Sequence, residues 1–175
     1  VLSNLSNAKS FLCDWADRET EINQLYTLSK KAPGKLGLFE VSGLQLDEAS
    51  EFQNALAKSE IFNTRVTLLR EKLGFTYSQN ENDRNRVGFL SSDFRNHAVG
   101  HQFIGLLDYL GTEKYDIFLF ACTPSEDSEI RRRYEDRGYN FHDISGLSLT
   151  GKATAINQAN LDLLIDLGGF SRGHN

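Results

Sequence analysis

Apolar residues recur every three or four positions over the first part of the chain and then give way to short, nearly continuous apolar runs. Leu5, Ala8, Phe11, Leu12 and Trp15 form one helix-period stripe; Ile22, Leu25 and Leu28 form a second after Asp17, a candidate N-cap. The spacing predicts two antiparallel helices that bury these stripes. A turn-rich connection, Pro33-Gly34-Lys35-Leu36-Gly37, leads to a third helix marked by Asp47, Ala49, Phe52 and Leu56, capped by Asp47 or a near neighbour. A fourth carries Ile61, Phe62, Val66, Leu69 and Leu73 and ends at Gly74, which supplies a left-handed C-cap. No self-similarity with a period of about 34 residues emerges, so a helical-repeat array is not demonstrated within the chain.

The polar stretch 76–85 breaks this periodicity and marks a boundary between a helical segment, residues 1–75, and a second segment, residues 86–175. Beyond it the pattern alternates. Strands are expected at 86–90, 115–122, 139–144 and 161–167, and helices at about 99–110, 125–137 and 150–160. Continuous apolar strands separated by amphipathic helices define an α/β class: a Rossmann-like parallel sheet with flanking helices and right-handed crossovers, preceded by an all-helical segment. Phe103, Leu106, Leu107 and Leu110 would pack on the sheet. Glu129, Arg131, Arg132, Arg133 and Glu135 read as a solvated, internally paired helix face.

Composition narrows the classes. With 175 residues, 39% hydrophobic and 25% charged, the chain has the make-up of a globular protein, and its net charge of −5 argues against a broad basic surface for nucleic acid. No apolar run has transmembrane length and no signal-peptide pattern is present, so no membrane partner is expected and the chain reads as cytoplasmic. Two cysteines, Cys13 and Cys122, make no disulfide framework and read as buried reduced thiols. The chain has no methionine, opens inside a helix and stops in a glycine-rich loop, and so reads as a fragment of something larger.

Candidate chemistry collects where strands end. Arg86-Val-Gly-Phe-Leu-Ser-Ser-Asp-Phe-Arg-Asn-His97 runs from an apolar strand into a loop bearing Ser91, Ser92, Asp93, Asn96 and His97. In open α/β sheets ligands bind outside the carboxyl ends of the strands. The last loop, Gly168-Gly169-Phe170-Ser171-Arg172-Gly173, should share that rim; its glycines can expose N–H groups and Arg172 can meet an anion. His97 suits proton transfer or hydrogen bonding, or it is a capping imidazole. His97 and His101 are four apart, yet a metal site needs further ligands, so none is expected. The dinucleotide fingerprint, the phosphate loop and the nucleophile elbow are all missing; Gly151-Lys152 leads into Ala153, and Ser91, Ser92 and Ser171 lack a hydrolase context.

The 86–97 run, followed by His101, resembles the start of the catalytic region of the O-linked N-acetylglucosamine transferases and their bacterial and plant relatives. Tyr115-Asp-Ile-Phe, Gly151-Lys-Ala and Leu164-Ile-Asp-Leu-Gly-Gly-Phe-Ser-Arg-Gly173 are similar to later parts of that region, and Cys13-Asp-Trp-Ala-Asp to the helices that link it to tetratricopeptide repeats. The resemblance implies the first of two Rossmann-like lobes of a GT-B-type enzyme, with the second lobe missing here. It implies inverting transfer of a sugar, N-acetylglucosamine, from a uridine diphosphate sugar to serine or threonine hydroxyls of a protein or peptide, with no resident cofactor or metal. His97 then matches the family's active-site histidine. Asp93 and Asn96, together with Gly168, Gly169, Phe170, Ser171 and Arg172, are the expected substrate-facing residues. The chain departs from the family at Ala98, where a proline commonly follows the histidine, and in Lys152-Ala-Thr-Ala-Ile156, which lacks an aspartate considered as a base. The fragment alone is expected to be inactive. A reading from another class is a non-catalytic interaction or scaffolding α/β domain.

Overall fold

A computed structural model describes residues 2–77, 83–110 and 113–169. The chain divides into two compact units, residues 1–72 and 73–175. The first holds α1 (Leu2–Phe11), α2 (Arg18–Lys31), α3 (Leu38–Ser42) and α4 (Glu48–Leu73). Its apolar cluster is Leu25, Leu36, Val41, Leu44 and Leu46, with Leu2, Ile22, Tyr26 and Leu28 packed on it. The expected stripe on α1 is not buried. Phe11 is 81% and Leu12 79% exposed, and Cys13, expected as a buried thiol, is exposed just past the end of the helix, whereas Cys122 is buried as expected. The helix turns its polar side inward instead: Arg18 donates to the Ser6 and Ser10 hydroxyls at 2.9 and 3.2 Å, and Glu40 accepts from Ser3 and from Asn7.

The two helices expected between 47 and 74 are one. Lys58-Ser59-Glu60 contains no glycine or proline to stop α4, so it runs for 26 residues to Gly74, whose φ of +57° ends it as expected. Asp47 caps it, accepting from the Ser50 N–H at 2.9 Å and the Ser50 hydroxyl at 2.8 Å, which hold its carboxyl down to about 2.

The second unit alternates β1 (Asn85–Ser91), α5 (Ala98–Leu110), β2 (Tyr115–Ala121), α6 (Glu129–Glu135), β3 (Asn140–Asp143), α7 (Leu149–Gln158) and β4 (Leu163–Asp166). All pairs are parallel, in the order β3-β2-β1-β4. The α/β class read from the pattern is the one observed. From β1 to β3 the chain steps one way across the sheet; from β3 to β4 it steps back past β2 and β1. Right-handed crossovers therefore put α5 and α6 on one face and α7 on the other. The faces divide accordingly. Phe89, Ile117 and Leu119 pack with Phe103, Ile104 and Leu107 of α5 and Ile130 and Tyr134 of α6, whereas Phe118, Phe120 and Cys122 pack with Ala155, Ile156 and Ala159. Leu106, expected in the core, is 46% exposed, and Ile104 takes its place. Gly88 sits inside β1 because Leu161 and Leu164 lie over it: a β-carbon there would overlap Leu161.

α6 is shorter than the periodicity implies. Ser128 caps it by accepting from the Arg131 N–H at 3.2 Å, so residues 125–127 stay outside the helix. Nor is its charged face wholly solvated. Arg131 is 1% exposed, with Nε donating to Glu135 at 2.6 Å, Nη2 to Asp143 at 2.9 Å, and its guanidinium 4.6 Å from the Phe141 ring centre.

Candidate functional site

The reversal of strand order puts β1 and β4 side by side, with Leu90 opposite Asp166 and the Leu167 N–H donating to the Leu90 carbonyl at 3.0 Å. This is the switch point of the sheet, where an open α/β fold leaves a crevice at its carboxyl edge. The loop after β1 and Gly168-Gly169 after β4 therefore share one rim, as the alternation implies.

The β1 loop is fastened from several sides. Phe94 is 1% exposed among Phe103, Tyr134 and Phe141, and its carbonyl accepts from Arg131 at 3.4 Å. The Ser92 carbonyl accepts from the Thr123 hydroxyl at 2.7 Å and from Arg95 Nε at 3.2 Å. Glu126 accepts the Asn96 N–H at 2.6 Å and the Ser128 hydroxyl at 2.8 Å, and these two bonds hold its carboxyl below the ordinary range. Ser91 and Ser92 are buried; the Ser91 hydroxyl accepts the Asp93 N–H at 3.0 Å. They are structural residues of the loop.

What the loop presents is the trio Asp93, Asn96 and His97. His97 stands at the N-cap of α5: its carbonyl accepts from the His101 N–H at 3.0 Å, and its Nδ1 accepts from the Val99 N–H at 3.3 Å. Asp93 Oδ1 lies 3.5 Å from the same nitrogen, ready to pair with it when Nδ1 carries a proton. The capping alternative is thus realised, and it orients the imidazole. Nε2 has no partner among the described residues and the side chain is 44% exposed, so that nitrogen is left to exchange a proton or hydrogen-bond a ligand. Asn96 Oδ1 meets His101 Nε2 at 2.9 Å, which ties the second histidine to the loop. No group of three or more His, Cys, Asp or Glu side chains is placed to hold a metal ion among the described residues.

On the β4 side, Gly168 and Gly169 donate their N–H groups to Asp166 Oδ1 at 2.9 and 3.3 Å, and Gly169 takes a φ of +53°. Phe170, Ser171 and Arg172 lie outside the described residues. The structure thus brings Asp93, Asn96 and His97 together in one loop and places Gly168 and Gly169 on the neighbouring strand end. The sequence reading passed over Glu126, Thr123 and Arg131, which fasten the loop, and Gly100. A β-carbon at Gly100 would strike the backbone carbonyls of Arg95 and Asp93. A glycine in the first turn of an apolar helix was the visible signal of that close approach.

A doubly wound α/β unit with a histidine-bearing loop at its switch point belongs to the class of folds that hold a ligand across the carboxyl edge of a sheet. Residues 12–175 match the model of glycosyl transferase family 41, and the chain belongs to that family. It is 32% identical over 90 residues to the protein of Arabidopsis thaliana named "Probable UDP-N-acetylglucosamine--peptide N-acetylglucosaminyltransferase SEC", covering 51% of this chain and 9% of the relative. It is 24% identical over 175 residues to the UDP-N-acetylglucosamine--peptide N-acetylglucosaminyltransferase of Caenorhabditis elegans, covering 93% of this chain and 15% of the relative. The chain therefore spans a small part of the curated relatives it matches.

Proposed function

We propose that this chain supplies linker helices and the first lobe of a GT-B-type glycosyltransferase that moves N-acetylglucosamine from a uridine diphosphate sugar to serine or threonine hydroxyls of protein acceptors, with inversion. The reading rests on membership of glycosyl transferase family 41 and on what its relatives are named for. The observation that carries it is the fastened β1 loop at the switch point, which leaves His97 Nε2 without a partner among the described residues. With Nδ1 accepting from the Val99 N–H, His97 presents Nε2–H to orient the reacting hydroxyl; taking the hydroxyl's proton at Nε2 requires the other tautomer, in which the Val99 bond is given up and Nδ1–H turns to Asp93 Oδ1, 3.5 Å away. Asn96, Gly168, Gly169, Phe170, Ser171 and Arg172 face the substrates. A donor held within reach of the acceptor and preorganised charge for the departing diphosphate supply most of the acceleration. A second lobe completes the cleft, so the 175-residue chain by itself is inert, and neither a metal nor a resident cofactor is required.

The protein works in the cytoplasm on this reading. Both cysteines are unpaired, and no helix among the described residues is long and apolar enough to cross a membrane.

The test is transfer from UDP-N-acetylglucosamine to a serine-containing peptide, read by mass spectrometry, with a protein extended beyond Asn175. Transfer that drops sharply in His97→Ala supports the proposal. No donor-dependent heat at millimolar nucleotide sugar, together with no transfer, refutes it in favour of a scaffolding domain.

A further inference from the structure

His101 stands in the first turn of α5, off the buried row Gly100, Phe103, Ile104 and Leu107, and is exposed. Helical side chains lean toward the helix N-terminus, so its imidazole reaches back toward the β1 loop, where Nε2 lies 2.9 Å from Asn96 Oδ1. An amide oxygen carries no proton and only accepts, so the bond requires Nε2–H. The neutral Nε2–H ring and the imidazolium both supply it, and the pairing survives protonation of His101.

The backbone of the loop does not need this bond. Glu126 already takes the Asn96 N–H at 2.6 Å, Phe94 is packed among Phe103, Tyr134 and Phe141, and the His101 backbone N–H, which no side-chain change removes, holds the His97 carbonyl at 3.0 Å. What the imidazole adds is the orientation of one exposed side chain. An unrestrained asparagine on a surface turns about its last torsion and presents either its amide oxygen or its amide nitrogen. With Oδ1 committed to His101, the arm left over is Nδ2, whose two N–H groups have no partner among the described residues. That donor stands next to His97 on the same rim.

We propose that His101 is a positioning residue that fixes Asn96 as a hydrogen-bond donor to an oxygen of bound substrate, either a hydroxyl of the sugar or a carbonyl of the acceptor peptide. The substrates rest on the glycosyl-transfer reading; the pairing of His101 with Asn96 does not. A donor held in place before the ligand arrives loses less rotational freedom on binding. It also favours an oxygen over an N–H at the position it meets, because two facing donors would both lose their hydrogen bonds to water.

Two experiments test it. In the 175-residue chain, long-range proton–nitrogen spectra at about pH 8, where an imidazole is neutral, read the tautomer of His101. Nε2–H is expected, with the ring nitrogen signals shifting in Asn96→Ala; the Nδ1–H tautomer, or no response to Asn96→Ala, overturns the pairing. In a transfer-competent protein extended beyond Asn175, His101→Leu should raise the KM of one substrate about three- to tenfold, the worth of one neutral hydrogen bond, with kcat nearly unchanged. His101→Gln places an amide N–H where Nε2–H was and should recover most of that loss. Asn96→Ala should be at least as impaired, and adding His101→Leu to it should cost nothing more. Asn96→Asp keeps an acceptor for His101 but has no N–H to offer, so it should bind that substrate at least as poorly as His101→Leu does. A higher KM for the peptide identifies a peptide carbonyl as the partner, and a higher KM for the nucleotide sugar identifies a sugar hydroxyl. Additive losses in the double variant, His101→Gln as impaired as His101→Leu, a normal KM in Asn96→Asp, or His101→Leu melting well below the parent would each overturn the proposal. An extended protein that transfers no sugar, with the Asn96-dependent Nε2–H signal present, would remove the glycosyl-transfer reading while the pairing stands.

Discussion

The two glycines of α5 offer a matched pair for testing whether the β1 loop is held by close approach. Gly105 is exposed in mid-helix, and a β-carbon there would meet nothing within 4 Å. Gly105→Ala should therefore show the ordinary helix-propensity gain, about 1 kcal/mol. Gly100 stands in the first turn. There a β-carbon would overlap the Arg95 carbonyl oxygen and come within 2.5 Å of that of Asp93. Those carbonyls accept the His97 and Arg95 N–H groups at 2.7 Å, and they must retreat by about 1 Å to reach an ordinary separation. Overpacking of this kind costs about 1–3 kcal/mol, which outweighs any propensity gain. The propensity gain is common to both alanine variants, so they should differ by about the overpacking cost, about 1–3 kcal/mol in urea denaturation, with Gly100→Ala the less stable. In a transfer-competent extended protein, Gly100→Ala should also lower kcat because it displaces the segment that carries His97, while Gly105→Ala should not. Equal stability of the two variants would refute the reasoning, since the backbone approach at Gly100 would then have no energetic consequence.

Arg131→Met should cost about 1–3 kcal/mol in urea denaturation, less than a fully buried pair because Glu135 and Asp143 are 38% and 35% exposed and rehydrate; a loss under about 0.5 kcal/mol would show that the guanidinium does not fasten the loop. Glu126 titrates below its ordinary 4.5 in the folded chain, so its contribution is complete above pH 4.5 and disappears as pH falls through the lowered folded value. Amide exchange at Asn96, corrected for intrinsic rate, should therefore accelerate on acidification in the parent and show no such step in Glu126→Gln, and an unchanged step in that variant would count against the Glu126 contact. His97→Asn retains an N-cap acceptor and should melt like the parent, whereas His97→Ala should lose about 0.5–2 kcal/mol; both should lower sugar transfer, and normal turnover by His97→Asn would reduce the imidazole to a cap.

The four strands and three helices of the α/β unit were legible because a strand buried on both faces must be apolar along its whole length, and Ile117 to Cys122 satisfies that without reference to anything distant. Local pattern failed where side chains meet partners far along the chain. The α1 stripe was read as a core face, yet Arg18 and Glu40 supply hydrogen bonds that turn Ser6 and Asn7 inward and leave Phe11 exposed. Periodicity carries α6 back to Ser125, but the capping hydroxyl of Ser128 and the contact from Glu126 to Asn96 stop it three residues later.

The candidate site divides along the same line. Asp93, Asn96 and His97 sit within five positions of one another, so their shared loop was visible in the sequence; their rigidity was not. It comes from Glu126 and Arg131, separated from the loop residues they hold by 30 and 37 positions. Arg131 shows why composition misleads here: it lies in a run of three arginines that reads as a wetted face, and only the packing of α6 beneath the β1 loop distinguishes it from Arg132, which is 63% exposed. A charged helix next to a polar strand-end loop should therefore be searched for the one basic residue on its apolar row. In α6 that row is Ile130, Arg131 and Tyr134, all buried, and the arginine is where the helix reaches the backbone carbonyl of the loop that carries His97.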